Sequence, residues 1–206
     1  MNASVRVGIL ASGRGSNFRA LVAAQAQGKL GAEIACLITD NPQAAALDIA
    51  RTAGIPVIVV QPGPKRTRLS PEAEAQIVET LRAYGVRLVC LAGFMRIVGG
   101  TILEAFPHAV LNVHPSLLPS FPGLDAQAQA LQHGVKVSGC TVHFADNIYD
   151  HGPIIVQRCV SVRQDDTPDS LAARVFETEC EAYPEAIRLF ATGRLAVENG
   201  LARVAN

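Results

Sequence analysis

Short apolar runs alternate along this chain with stretches whose apolar residues recur every three or four positions. Residues 5–10 are apolar apart from Arg6, and the run is stopped by Ser12 and Gly13. Residues 17–27 then carry Phe18, Leu21 and Val22 at helical spacing, so the segment reads strand, turn, helix. The unit returns as a strand over 34–39, a helix over 43–52 closed by Gly54, and a strand over 57–60. Continuous apolar strands joined through helices predict a parallel sheet with right-handed crossovers, because a strand covered on both faces needs no polar alternation.

A Pro- and Gly-rich loop over 61–69 leads into Ser70-Pro71-Glu72. Ser as a cap, Pro in the first turn and Glu at the positive helix end predict a helix from there to Tyr84, stopped by Gly85. Strands follow at 87–92 and 109–113, whereas three prolines keep 115–123 out of regular structure. Something other than helix packing must shape that segment. A short helix over 126–132, strands over 139–145 and 154–162 that could run antiparallel to the rest, and a long helix over 168–192 closing the domain complete the order. With no repeat, low-complexity tract or linker, residues 1–206 read as one α/β domain.

Composition narrows the partners. At 206 residues, 49% of them hydrophobic, the chain can bury a core without staples. Eighteen basic residues balance eighteen acidic ones without a run of either sign, which speaks against nucleic-acid or membrane-surface binding and for small-molecule ligands. Cys36, Cys90, Cys140, Cys159 and Cys180 form no C-x-x-C pair, so they read as reduced core residues, not a disulfide framework or thiolate zinc site. The apolar run at 5–11 is too short for a signal peptide or a span, and the one near Val86 is broken by Arg87 and Arg96. The expected compartment is the cytoplasm.

Two regions carry candidate chemistry. Ser12-Gly13-Arg14-Gly15-Ser16-Asn17 lies between the first strand and helix, where helix amides face a bound anion and glycines admit close approach. It is not a Walker loop, and Phe18 stands where a dinucleotide fingerprint needs its third glycine, so a mononucleotide or sugar phosphate fits better. The same residues also suit a plain tight turn with Ser16 or Asn17 capping the helix. The second region is the strand end Asn112-Val113-His114-Pro115, where an amide and an imidazole two residues apart share one face. Such a pair can hold an oxyanion and pass a proton, although a His before Pro also serves as a structural hydrogen-bonding residue. The loop over 146–153 supplies Asp146 and Asp150; it reads as a solvated turn, unless a carboxylate there orients the imidazole. His108, His133 and His143 lack metal-ligand spacing and are assigned core or surface roles, and Met95 and Ile97 read as strand-end packing or as walls of a ring-binding pocket.

Taken together and in order, these segments resemble the folate-dependent formyltransferases, most closely those acting on glycinamide ribonucleotide. The resemblance rests on residues 12–17, Leu91-Ala92-Gly93-Phe94-Met95-Arg96-Ile97, residues 111–119, Thr141-Val142-His143-Phe144, Asp150-x-Gly152-Pro153, and Glu179 ahead of Tyr183-Pro184. It implies a Rossmann-like formyltransferase fold, doubly wound and mostly parallel with one antiparallel strand. It implies transfer of a formyl group from the co-substrate 10-formyltetrahydrofolate to the amine of 5-phosphoribosylglycinamide, in de novo purine (IMP) biosynthesis, without a metal. By position, Asn112, His114 and Asp150 match the catalytic trio, while Gly15, Ser16, Asn17 and Glu179 match the ribonucleotide contacts. Met95, Arg96, Ile97, Val98, Asn112 and residues Asp146, Asn147, Ile148, Tyr149 and Asp150 match the folate contacts. A basic cofactor contact near the third main helix falls on Ser70 in the simplest register, or on Arg68 with a gap. Ser120 and Asp125-Ala126-Gln127 depart from the basic and histidine-rich residues of some members, so details after Pro119 are not carried over. The alternatives are a formyltetrahydrofolate hydrolase, which usually carries an extra N-terminal domain, a tRNA-directed formyltransferase, which adds a C-terminal one, and a non-catalytic nucleotide-phosphate sensor. The expected assembly is a monomer or homodimer.

Overall fold

The computed structural model describes residues 4–205 and comprises two compact units, the first ending at Leu111 and the second beginning at Asn112. The first holds β1 (Val5–Leu10), α1 (Ser16–Ala26), β2 (Ala32–Thr39), α2 (Ala46–Thr52), β3 (Val57–Val59), α3 (Pro71–Ala83), β4 (Leu88–Leu91) and α4 (Gly100–Ala105), with the start of β5 (Val110–His114). Its strands lie in the order β3-β2-β1-β4, and the β1–β2, β2–β3 and β1–β4 pairs are all parallel. Val7, Ile9 and Leu10 of β1 and all of β4 are buried, as expected of strands covered on both faces. The chain runs outward from β1 to β3 and returns to β4 on the other side, so the loops after β1 and β4 meet at a topological switch point: the Ser12 N–H donates to the Gly93 carbonyl at 3.1 Å.

The second unit holds the rest of β5 with α5 (Ala126–Gln132), β6 (Val137–Phe144), β7 (Ile154–Ser161), α6 (Pro168–Ala191), β8 (Leu195–Glu198) and β9 (Leu201–Val204). Here the order is β5-β6-β7, with β6 and β7 antiparallel. The fold is thus the mostly parallel α/β class with an antiparallel strand. Thr167 and Ser170 cap α6 reciprocally, and the Arg174 guanidinium on Asp166 just before it holds that carboxyl well below the usual carboxylate range. The helix lays Leu171, Val175, Ala182, Tyr183 and Ile187 into the core against β6 and β7.

Three expectations need correction. The helix over 43–52 starts later, at Ala46, because the Asn41 side chain accepts from the Gln43 N–H at 2.9 Å and its carbonyl accepts from Ala44, making a turn first. Two elements were not anticipated. The six-residue α4 is too short to show a period, and the long helix does not close the chain but is followed by the β8–β9 hairpin, whose Asn199-Gly200 turn has positive φ at both residues. The cysteines are all free, yet only Cys36, Cys90 and Cys140 are core residues; Cys159 is exposed on β7 and Cys180 half-buried on α6. Burial pushes the Cys36 and Cys140 thiols up to about 11. Among the described residues no helix is long and apolar enough to cross a membrane.

The α3 cap is testable by itself. The Ser70 hydroxyl accepts from the Ala73 N–H at 3.2 Å, so Ser70→Ala leaves a helix-end donor without its partner. A loss of about 1 kcal/mol in urea denaturation is expected, and an unchanged midpoint would show that the cap contributes nothing.

Candidate active site

Asp150 organises the second unit's polar cluster. It ends the 146–150 loop with φ +50, a left-handed conformation uncommon outside glycine, and its side chain is only 2% exposed. Gly152 makes that placement possible, since a Cβ there would lie 1.9 Å from the Phe144 carbonyl oxygen. The Asp150 Oδ2 atom accepts from the Gly123 N–H at 2.9 Å and faces His114 Nδ1 at 3.2 Å. Its Oδ1 atom faces Asn112 Nδ2 at 3.4 Å and His143 Nε2 at 3.8 Å. The predicted trio therefore converges, with Asn112 and His114 presented by the end of β5 and Asp150 by the loop between β6 and β7.

The 115–123 segment is shaped by side chains of β6 and β7. The buried Thr141 hydroxyl donates to the Ser116 carbonyl at 2.7 Å and accepts from the Leu118 N–H at 3.0 Å. The Gln157 amide donates to the Leu118 carbonyl at 2.9 Å and to Thr141 at 3.0 Å. So pinned, the segment delivers the Gly123 N–H to Asp150 and the Phe121 carbonyl to within 2.9 Å of His114 Nε2. Both ring nitrogens of His114 face acceptors, and a doubly protonated ring makes both bonds.

His143 is buried, as its place in an apolar strand implies, but it also joins this cluster, which the sequence did not indicate. Its Nδ1 lies 2.9 Å from the Phe144 carbonyl, which can only accept, so Nδ1 carries the proton and Nε2 a lone pair. That lone pair faces Asn112 Nδ2 at 3.2 Å, which directs the amide N–H groups toward His143 and Asp150. Burial pushes the His143 imidazole below its ordinary pKa, opposed by the Phe144 carbonyl and the Asp150 carboxylate, and so favours the neutral ring this arrangement requires.

In the rest of the 146–150 loop, Asp146 makes a local turn: its Oδ1 accepts from the Ile148 N–H at 2.8 Å and its Oδ2 faces His151 at 3.0 Å. Asn147 is exposed, and Ile148 and Tyr149 leave large apolar surfaces in solvent. Glu179 is buried at 6% exposure on α6.

In the first unit, Gly15 stands at the α1 N-cap with φ +73, and a Cβ there would meet Ala46 Cβ at 2.9 Å. Glycine is thus required by the backbone and by α2 packing, whatever the loop binds. The N-cap position of α1 is Gly15, which has no side chain to cap with, so Ser16 and Asn17 lie within the first turn and not at the cap position. Ser16 is exposed and Asn17 half-buried. Met95 is 63% exposed and therefore not packing in the core, Ile97 is half-buried and Val98 buried. Of the two candidate cofactor contacts, Ser70 is engaged as the α3 cap, whereas Arg68 bridges Ile97 and the Ile97 N–H donates to the Thr67 carbonyl at 2.8 Å. Arg68 is the residue placed beside the 95–98 segment.

Comparison with known proteins agrees with this architecture. The formyl transferase family model matches residues 5–187, and the chain belongs to that family. It is 41% identical to the phosphoribosylglycinamide formyltransferase of Bacillus subtilis over 180 residues, 87% of this chain and 91% of that one. Its structure superposes on glycinamide ribonucleotide transformylase 1 from Symbiobacterium toebii with a TM-score of 0.94 and 47% identity, covering 100% of this chain and 96% of that one. It is also similar to a formyltetrahydrofolate deformylase from Pseudomonas syringae pv. tomato, with a TM-score of 0.91 and 26% identity over 100% of this chain and 67% of that one.

The depressed His143 pKa has a consequence for stability. The folded protein takes up this proton less readily than the unfolded chain, whose imidazole titrates near 6.5. His143 therefore leaves stability intact above that pH and subtracts from it as pH falls below. Between about pH 7.5 and about pH 5, the His143→Gln variant should lose less stability to urea than the unmodified protein. Equal losses would mean that the ring charges as easily folded as unfolded.

Proposed function

We propose that this chain transfers the formyl group of 10-formyltetrahydrofolate to the amine of 5-phosphoribosylglycinamide, giving formylglycinamide ribonucleotide and tetrahydrofolate in de novo purine biosynthesis. The observation that carries the reading is the convergence of Asn112, His114 and Asp150 in a chain of this family. The neutral amine attacks the formyl carbon, and the developing oxyanion is held by the His114 charge and an Asn112 N–H. The 3.4 Å contact from Asn112 to Asp150 lies beyond the usual hydrogen-bond range, so that N–H can turn to the oxyanion at little cost, while the 3.2 Å contact to His143 keeps the amide in place. As the bond to the folate nitrogen breaks, the proton lost by the amine reaches that nitrogen. With both His114 nitrogens engaged, a water ordered on Asp150 suits this relay better than the ring itself.

In this reading residues 1–206 serve one formyltransferase domain. Gly15, Ser16 and Asn17 hold the substrate phosphate through helix amides, and Glu179 contacts the remainder of the ribonucleotide. Met95, Ile97 and Val98, with the Arg96 backbone and Arg68, contact the folate, and so do residues 146–150; the Arg96 guanidinium itself is engaged by Asp40 and the Lys65 carbonyl. The exposed Met95 in the first group and the exposed Ile148 and Tyr149 in the second are surfaces suited to an aromatic ring system. Neither reactant calls for a metal. The similarity to a deformylase supports a second reading, in which water takes the formyl group.

One assay separates the readings: incubation with 10-formyltetrahydrofolate, following deformylation with and without the ribonucleotide. Turnover that depends on the ribonucleotide is expected; equal turnover in water alone would establish the hydrolase, and none under either condition the sensor. Asp150→Asn is the companion test, since Asn tolerates the left-handed backbone and keeps the shape while losing the charge. It should lower kcat at least about a hundredfold with little change in KM for the ribonucleotide. Near-normal kcat in a folded variant would refute the trio.

A further inference from the structure

Arg96 was expected among the folate contacts, but its guanidinium is engaged inside the protein. Its Nε donates to Asp40 Oδ2 at 2.5 Å, and one terminal nitrogen donates to the Lys65 carbonyl. Asp40 directly follows β2, and its side chain is 6% exposed against 16% for Arg96. The other Asp40 oxygen, Oδ1, is buried without a hydrogen-bond partner, so this carboxylate depends on Arg96 alone among the described side chains. The guanidinium thus ties the residue after β2, the segment after β4 and the 61–69 loop together.

The same segment is held at two further points. The Met95 N–H donates to the Ser12 hydroxyl at 3.0 Å, and the Ile97 N–H donates to the Thr67 carbonyl at 2.8 Å beside the Arg68–Ile97 bridge. Residues 95–97 are therefore fixed one after another, and the middle fixture is the ion pair. A buried pair of this kind is a poor means of stabilising a fold, because apolar residues of similar volume often do as well. It does select one conformation, since few others satisfy both charges.

We infer that Asp40 is a positioning residue for the folate, acting through Arg96 to set the backbone of residues 95–98 and the neighbouring Arg68. This rests on the functional reading above, in which these residues contact the folate. Neither Asp40 nor the Arg96 guanidinium needs to touch the ligand. A shift of the segment should weaken folate binding and leave the amine substrate and the Asp150 cluster unaffected.

The test compares Asp40→Ala, Asp40→Asn and the double variant Asp40→Ala/Arg96→Met with the unmodified protein. Calorimetric binding of 10-formylfolate is measured alongside steady-state kinetics and urea denaturation. Asp40→Ala should weaken folate binding and raise the folate KM by about tenfold or more, with the ribonucleotide KM and kcat within about threefold. Asp40→Asn keeps an acceptor for the Arg96 Nε and should fall between Asp40→Ala and the unmodified protein. The double variant removes both charges, so it should stay impaired in folate binding even where its urea midpoint matches that of the unmodified protein. It also carries the test if Asp40→Ala fails to fold. A purely structural role predicts lower stability with unchanged folate affinity, or full recovery of that affinity in the double variant, and either result overturns the inference. If the unmodified protein itself binds no folate, the functional reading falls and the inference with it; normal binding by that protein with equal affinity in the variants overturns the inference alone.

Discussion

A carboxylate that is 2% exposed is tolerated only where donors surround it, and much of the second unit follows from meeting that requirement for Asp150. The Gly123 amide can reach it only if the 115–123 segment is drawn into place, which is the work of the Thr141 hydroxyl and the Gln157 amide. The side chain itself reaches inward only from a left-handed backbone, and the chain can turn there only because Gly152 has no Cβ to strike the Phe144 carbonyl. The same carbonyl fixes the His143 proton, and His143 in turn orients Asn112. One buried charge thus links a proline-rich loop, a glycine, a tautomer and an amide orientation. Each of these acts through the others, so single substitutions around the cluster should couple strongly.

The first unit meets a similar constraint by different means. Among the described side chains Asp40 has one guanidinium on one of its oxygens, where Asp150 has several donors around it, and that guanidinium comes from the segment after β4. Gly15 shows how a loop can be over-determined: positive φ and α2 packing both demand glycine, independently of any phosphate. A substitution there would report on folding before it reported on binding, whereas Ser16, exposed at the first turn of α1, is the more selective probe of an anion contact.

What the sequence made legible was what depends on pattern. The strand at 5–10 lies where it was expected, because an apolar run broken only by Arg6 and stopped by Ser12 and Gly13 is a local signal, and the short helix near 126–132 is likewise present. Asn112 and His114 were legible as a pair because strand geometry puts alternate residues on one face. His143 was not, since its apolar neighbours describe a core strand and its role comes from a backbone carbonyl and a carboxylate beyond that strand. Asp40 and Gln157 escaped for the same reason: their partners lie 56 and 39 residues away, and nothing adjacent announces them. The hairpin near the C-terminus is a different kind of omission. Asn199-Gly200 between two short apolar-alternating runs is a strong local turn signal, although the helix before it already covers the sheet and the hairpin adds little to the core.

Nothing in the Asn112, His114, Asp150 cluster distinguishes an amine from water as the acceptor of the formyl group. Each attacks the same carbon, passes through the same oxyanion and needs the same proton moved. The choice must therefore come from binding energy gained at parts of the acceptor remote from the reacting nitrogen. An amine held by its phosphate and ribose gains orientation that a diffusing water lacks, and the effective concentration of a well-placed nucleophile can exceed that of bulk water by many orders of magnitude. Exclusion of water is then not required for specificity, only a sufficient rate advantage for the tethered amine. Under the proposed assignment, the residues that would favour transfer over hydrolysis are those proposed to hold the ribonucleotide, Gly15, Ser16, Asn17 and Glu179, not the trio. Loss of a phosphate contact should consequently narrow the margin between transfer and hydrolysis while leaving the intrinsic chemistry of the cluster unchanged.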